Sequence, residues 1–163
     1  MPDNKHAVVV KIADAKISSS PNEVIVTYSL GSCIGVCLHD RISKIGGMLH
    51  FQLPESKLNA ERALVKPFMF ADTGFNLLFD SLLAAGAKKK YLKVKIAGGA
   101  SMKGGPEAFE IGKRNYLALR RLLWKKGLMI AAEDVGGNVP RTLYLDIESG
   151  SLLVKAGRSQ REI

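Results

Sequence analysis

Two residues of this chain have the chemistry of a nucleophile and its base: Cys33, directly after Gly31-Ser32, and His50, on the next apolar segment. A thiol attacks a carbonyl as its anion, and at an unperturbed pKa near 8.5 only about 3% is ionised at pH 7. A neighbouring imidazolium raises that fraction and can then hand its proton to a departing amine. A Gly-Ser turn ahead of a strand leaves the N–H groups of Ser32 and Cys33 outside any ladder, where they can stabilise an oxyanion. Thr27, one segment earlier, is either an ordinary β-branched strand residue or a hydroxyl that orients the imidazole or the substrate. Plainer readings stand beside these: free cysteine is among the most buried residue types, and a histidine on an apolar strand is commonly a satisfied core residue.

The elements around these residues decide whether they meet. Ile34, Val36 and Leu38 alternate with Gly35, Cys37 and His39, and residues 48–53 alternate again after Gly46-Gly47, so two strands joined by a polar turn at residues 40–44 form a hairpin. If Leu38 pairs with Ile45, Cys33 lies directly opposite His50, on one face, with Cβ atoms roughly 4.5 to 5.5 Å apart. A slip of one residue would put them on opposite faces.

Further strands are expected at residues 8–12, 23–29, 91–97, 128–132, 142–147 and 151–154. Asp72 is placed to cap a helix whose Phe75, Leu78, Phe79, Leu82 and Leu83 face inward, with Gly86 as its stop. A second helix runs from Pro106 or Ile111 to Lys126, with Tyr116, Leu119, Leu122 and Leu123 inward and Gly127 as its end. Residues 55–66 read as a loop or short helical turn, and residues 156–163 as a frayed tail without apolar anchors. About eight strands and two amphipathic helices predict an α/β fold with helices covering sheet faces. One domain spanning residues 1–163 suits the length, which is enough to bury roughly 68 to 70% of the unfolded surface.

Cys33 and Cys37 are the only cysteines. Four residues apart on a strand they stand about 13 Å apart, too far to bridge and too far to share a zinc ion with His39 and His50. Unpaired thiols suit a reducing cytoplasm. The apolar run at residues 7–10 ends at Lys11, too soon for a signal peptide or a membrane span. Gly98-Gly99 and Gly136-Gly137 fit turns and match neither the P-loop nor the dinucleotide fingerprint, so no cofactor or metal is expected. Lysines and arginines number 24 against 15 aspartates and glutamates, which favours acidic partners. The aromatic residues are not interleaved with the basic clusters at residues 88–90 and at Arg120, Arg121, Lys125 and Lys126, which argues against single-strand nucleic-acid binding.

The segment Thr27-Tyr28-Ser29-Leu30-Gly31-Ser32-Cys33-Ile34-Gly35-Val36-Cys37-Leu38, followed by Gly46-Gly47-Met48-Leu49-His50-Phe51-Gln52-Leu53-Pro54, resembles the chemoreceptor glutamine deamidases of chemotaxis, the CheD family. Phe70-Ala71-Asp72-Thr73-Gly74, Lys95-Ile96-Ala97-Gly98-Gly99-Ala100-Ser101-Met102, Ile111-Gly112-Lys113-Arg114-Asn115 and Asp134-Val135-Gly136-Gly137 extend the match. His39, where an aromatic residue is usual, and Pro140, where glycine is expected, depart from the pattern. The resemblance implies a three-layer α/β fold with Cys33 as nucleophile, His50 as its partner and Thr27 contributing. It implies conversion of receptor glutamines to glutamates in the cytoplasm, with no cofactor, nucleic acid or membrane insertion. Implied partners are the cytoplasmic helices of a chemoreceptor and a CheC-type phosphatase, and a rival reading is a non-catalytic adaptor that stimulates that phosphatase.

Overall fold

A strand buried along its whole length needs cover on both faces of its sheet, and this chain has two such strands side by side. The computed structural model describes residues 4–102 and 106–163, without the side chains of residues 106–109. Among these residues the strands are β1 His6–Val9, β2 Asp14–Ser18, β3 Glu23–Leu30, β4 Ile34–Asp40, β5 Ile45–Phe51, β6 Leu92–Gly98, β7 Ile130–Val135, β8 Arg141–Asp146, β9 Leu152–Ala156 and β10 Ser159–Glu162. The helices are α1 Ala60–Val65, α2 Ala71–Ala84 and α3 Pro106–Lys125. β4 and β5 are the two strands buried throughout. They lie at the centre of a sheet ordered β2-β5-β4-β6-β7, which stacks on a second sheet ordered β1-β3-β8-β9-β10.

The period-two alternation sorts β4 and β5 between two cores. Ile34, Val36, Leu38, Leu49 and Phe51 join Phe75, Leu78, Leu82, Leu119 and Leu123 beneath α2 and α3. Cys37 and Met48 turn the other way, to Ile25, Leu30, Leu143, Leu145 and Val154 of the second sheet. The result is a three-layer sandwich of helices, sheet and sheet. All pairings are antiparallel except β1 with β3 and β6 with β7. No helix among the described residues is long and apolar enough to cross a membrane.

Four expectations are corrected. Residues 156–163 do not fray: β10 pairs with β9 through its backbone, and Ile163 packs against the inter-sheet core. Residues 14–18, read as part of no strand, form β2 on the edge beside β5. Residues 55–66, expected as a loop or short helical turn, take the helical form, as a 3-10 turn, Ser56–Leu58, and α1. Asp72 does not cap α2. The helix starts at Ala71, because Phe70 is bridged to Leu53 and the Ala71 N–H donates to the Leu53 carbonyl. The Asp72 carboxylate instead accepts from the Ser56 amide and hydroxyl at 2.9 and 2.7 Å, tying the 3-10 turn to the helix. Leu83, expected inward, is partly exposed at the helix edge.

Candidate active site

β4 and β5 do form the expected antiparallel pair, but two residues out of the expected register. Leu38 faces Gly47, and His50 faces Gly35, so Cys33 is a diagonal neighbour of His50 and not its direct partner. A displacement of two keeps side-chain parity, so Cys33 and His50 still share the face turned to the second sheet. Thr27, on β3 of that sheet, faces them across the seam. Thr27 and His50 are in hydrogen-bond contact, and Cys33 packs against the same inter-sheet core. Thr27 and His50 are buried, at 0% and 1% exposure, and Cys33 stands half-buried at the seam's mouth.

The hydroxyl of Thr27 fixes the state of His50. Its single proton is donated to the Val10 carbonyl at 2.9 Å, since a carbonyl can only accept. The contact of 2.8 Å between Thr27 Oγ1 and His50 Nδ1 must then be donated by the ring. His50 therefore carries its proton on Nδ1 and its lone pair on Nε2, and Nε2 is a buried nitrogen without a hydrogen-bond partner. Burial pulls the His50 pKa down to about 4, against the opposing carboxylate of Asp14 across the strand pair. His50 is therefore neutral at rest, not the imidazolium expected.

Replacing Thr27 by valine keeps the shape and removes both hydrogen bonds. Thr27→Val is expected to lower stability by about 1 to 3 kcal/mol, read by urea denaturation, because it leaves the buried Nδ1–H of His50 unpartnered. Unchanged stability would contradict the assigned tautomer.

Cys33 precedes β4 by one residue. β3 approaches it through a bulge after Thr27, with Ser29 at a φ of +56°, which interrupts the pairing with β8 until Leu30 meets Arg141. Three successive carbonyls of the turn are engaged: Gly31 accepts from Ala100 N at 2.8 Å, Ser32 from Asn115 Nδ2 at 3.1 Å, and Cys33 from Gly99 N at 2.9 Å. The N–H groups of Ser32 and Cys33 donate to no carbonyl among the described residues. They are the expected candidates for oxyanion donors. Burial pushes the Cys33 thiol up, and its own backbone N–H pulls it partly back. Cys37, by contrast, is sealed between the sheets with its thiol pushed up to about 12. His39 is also remote from Cys33, at the far end of β4, where Nε2 meets the Ile147 carbonyl at 2.8 Å.

Residue-type reasoning missed two contributors. Gly98, which the sequence assigns to a turn, has no room for a side chain: a Cβ there would lie 2.3 Å from the Cys33 carbonyl oxygen. Asn115 is the other, and a polar residue on the inward stripe of α3, among Ala118 and Leu119, is itself a signal that buried polar groups await it. This end of the molecule holds a half-buried thiol, a neutral imidazole with a free lone pair, and two N–H groups outside the ladder, residue types that acyl transfer uses.

Residues 52–156 match the family model described as CheD chemotactic sensory transduction. The chain is 45% identical over 156 residues to a probable chemoreceptor glutamine deamidase CheD of Solibacter usitatus, covering 96% of this chain and 92% of that protein. It is 43% identical over 157 residues to a probable chemoreceptor glutamine deamidase CheD 1 of Syntrophus aciditrophicus, covering 96% and 98%. To a probable chemoreceptor glutamine deamidase CheD 2 of Anaeromyxobacter dehalogenans it is 48% identical over 150 residues, covering 92% and 94%. Among solved structures it is similar to a Neisseria meningitidis protein of the DUF152 family, with a TM-score of 0.45, 11% identity and coverage of 82% of this chain and 63% of that one.

Proposed function

Because this chain belongs to the CheD family, and on that footing is a glutamine deamidase of chemotaxis, we propose that Cys33 is its nucleophile and His50 its base and acid. Neutral His50 takes the thiol proton on Nε2, and the Cys33 sulfur attacks the side-chain carbonyl carbon of a substrate glutamine. The carbonyl oxygen becomes an oxyanion, held by the N–H groups of Ser32 and Cys33. His50 returns the proton to the amide nitrogen, the carbon–nitrogen bond breaks, and ammonia leaves behind a thioester. Neutral His50 then deprotonates a water that attacks the thioester carbonyl, releasing glutamate and restoring the thiol. Thr27 keeps the imidazole in the tautomer that both proton transfers require.

The observation that carries this reading is the Thr27 hydroxyl, which gives its proton to Val10 and so obliges His50 to hold its free lone pair on the unpartnered Nε2. The substrates are chemoreceptor glutamines, as the relatives' names have it, carried on the receptors' cytoplasmic helices, and the net charge of +9 suits an acidic helical surface. The protein works in the cytoplasm and also docks a CheC-type phosphatase, a role that does not need the thiol.

Peptide mass mapping of chemoreceptor cytoplasmic fragments incubated with the protein tests this. Specific glutamines should appear as glutamates, with an equal amount of ammonia released. Fragments that come back unconverted, while the phosphatase is still stimulated, would leave the adaptor role and end the enzymatic one.

A further inference from the structure

We infer that Asn115 is a positioning residue for Cys33, its amide holding the peptide plane whose N–H serves the oxyanion. The inference rests on the deamidase reading for its consequence in turnover, though not for its geometry. Asn115 is fully buried on the inner face of α3. Its side-chain nitrogen has two hydrogens and two acceptors, the Ser32 carbonyl at 3.1 Å and the Gln52 carbonyl at 2.8 Å. The first acceptor belongs to the peptide that joins Ser32 to Cys33. The chain has no cis peptides among its described residues, and in a trans peptide the C=O and the following N–H lie in one plane and point in opposite directions. Drawing the Ser32 oxygen into α3 therefore directs the Cys33 N–H away from α3, to the side where it meets its own sulfur.

The second acceptor explains why one residue serves both strands. Gln52 lies one residue beyond β5 and two beyond His50, where the ladder with β4 has ended and the Gln52 N–H has turned to the Met69 carbonyl. Ser32 and Gln52 thus present carbonyls at the splayed end of the same hairpin, and the Asn115 amide bridges them. It links the turn carrying the nucleophile to the strand carrying the base. Asparagine is suited to this because it offers two N–H groups from one atom on a short stem. Aspartate has no such donors, and leucine would fill the space without bridging. A buried amide is retained although its own oxygen, Oδ1, has no partner, a desolvation cost that an apolar residue would avoid.

The test uses the full chain with Asn115→Leu and Asn115→Ser, each checked for cooperative unfolding. Cys33 alkylation by iodoacetamide is followed across pH, and turnover on receptor fragments is resolved into kcat and KM. Loss of the bridge should slow alkylation at pH 7 by about tenfold, as the thiol titrates about one unit higher, and lower kcat by about 10²-fold with KM little changed. A folded variant with wild-type alkylation and kcat would overturn the inference. Should neither variant fold, amide hydrogen exchange in the unaltered protein decides. The Cys33 N–H should exchange far faster than those of Gly99 and Ala100, which donate to the same turn, and equal protection would overturn it. Because alkylation and exchange need no substrate, shifted alkylation with no receptor conversion even by the wild type would end the deamidase reading and leave this one standing.

Discussion

Cys33→Ala is expected to abolish receptor deamidation, by about 10⁴-fold or more, and His50→Gln to lower it by about 10³-fold, within the usual range for a lost general base. The double variant should be no slower than Cys33→Ala alone, since a nucleophile and its base act as one unit and their losses do not add. Additive losses would mean that the two residues work separately. The pH profile carries the sharper part of this prediction. Burial holds His50 neutral down to about pH 4 and keeps the Cys33 thiol protonated, so the working pair near neutrality is a thiol and a neutral imidazole. The acid limb of kcat/KM should accordingly fall near pH 4, well below the ordinary histidine value of about 6.5. A limb at 6.5 or above would show that an imidazolium, and not a free base, faces the sulfur.

The same depression is a statement about stability. Unfolded His50 binds a proton near pH 6.5 and folded His50 refuses it until about pH 4, so the unfolded state gains protons first. Stability is therefore complete above pH 6.5 and declines as pH falls toward 4, by roughly 3 kcal/mol from this residue. Denaturation measured at pH 5 and pH 7 separates that loss from the catalytic limb, and His50→Gln should flatten the difference.

The candidate residues were legible in the chain because they lay on or beside strongly alternating strands. The register error was harmless for a physical reason: a shift of two moves a side chain along the strand and leaves it on the same face. Its source is also physical. Asp40 accepts from the amides of Ile42 and Ser43 at 2.8 and 3.1 Å, so the turn closes on its own side chain and the ladder reaches Asp40 facing Ile45. Side-chain patterns could not reveal β10, whose residues are all exposed and carry no apolar alternation. Nor could they reveal that burial reverses the charge expected at His50, because the depth of a residue depends on a second sheet formed by distant segments. Asn115 was hidden for the same reason: its acceptors are carbonyls 63 and 83 residues away.

Gly98→Ala is the second large effect expected, and it isolates the backbone beneath the nucleophile. Gly98 has a φ of +115°, and a Cβ built on it lies 2.3 Å from the Cys33 oxygen and 3.2 Å from the Ile34 Cα, both backbone atoms that no rotamer change can move aside. Strain at such a φ amounts to about 1 to 3 kcal/mol, and the clash adds to it, so a loss of about 3 kcal/mol or more is expected in urea denaturation. The displaced atom belongs to the peptide following Cys33, so the protein that remains folded should also turn over about 10²-fold more slowly, as a misplacement of about 1 Å commonly produces. Gly136→Ala is the control. Gly136 also has a positive φ, +80°, but a Cβ there meets nothing within 4 Å, so that variant should lose about 1 to 2 kcal/mol from backbone strain alone and keep its turnover. If the two substitutions cost the same stability and both spare turnover, the Cys33 carbonyl can yield without disturbing the sulfur, and close packing of Gly98 beneath it does not set the geometry of the nucleophile.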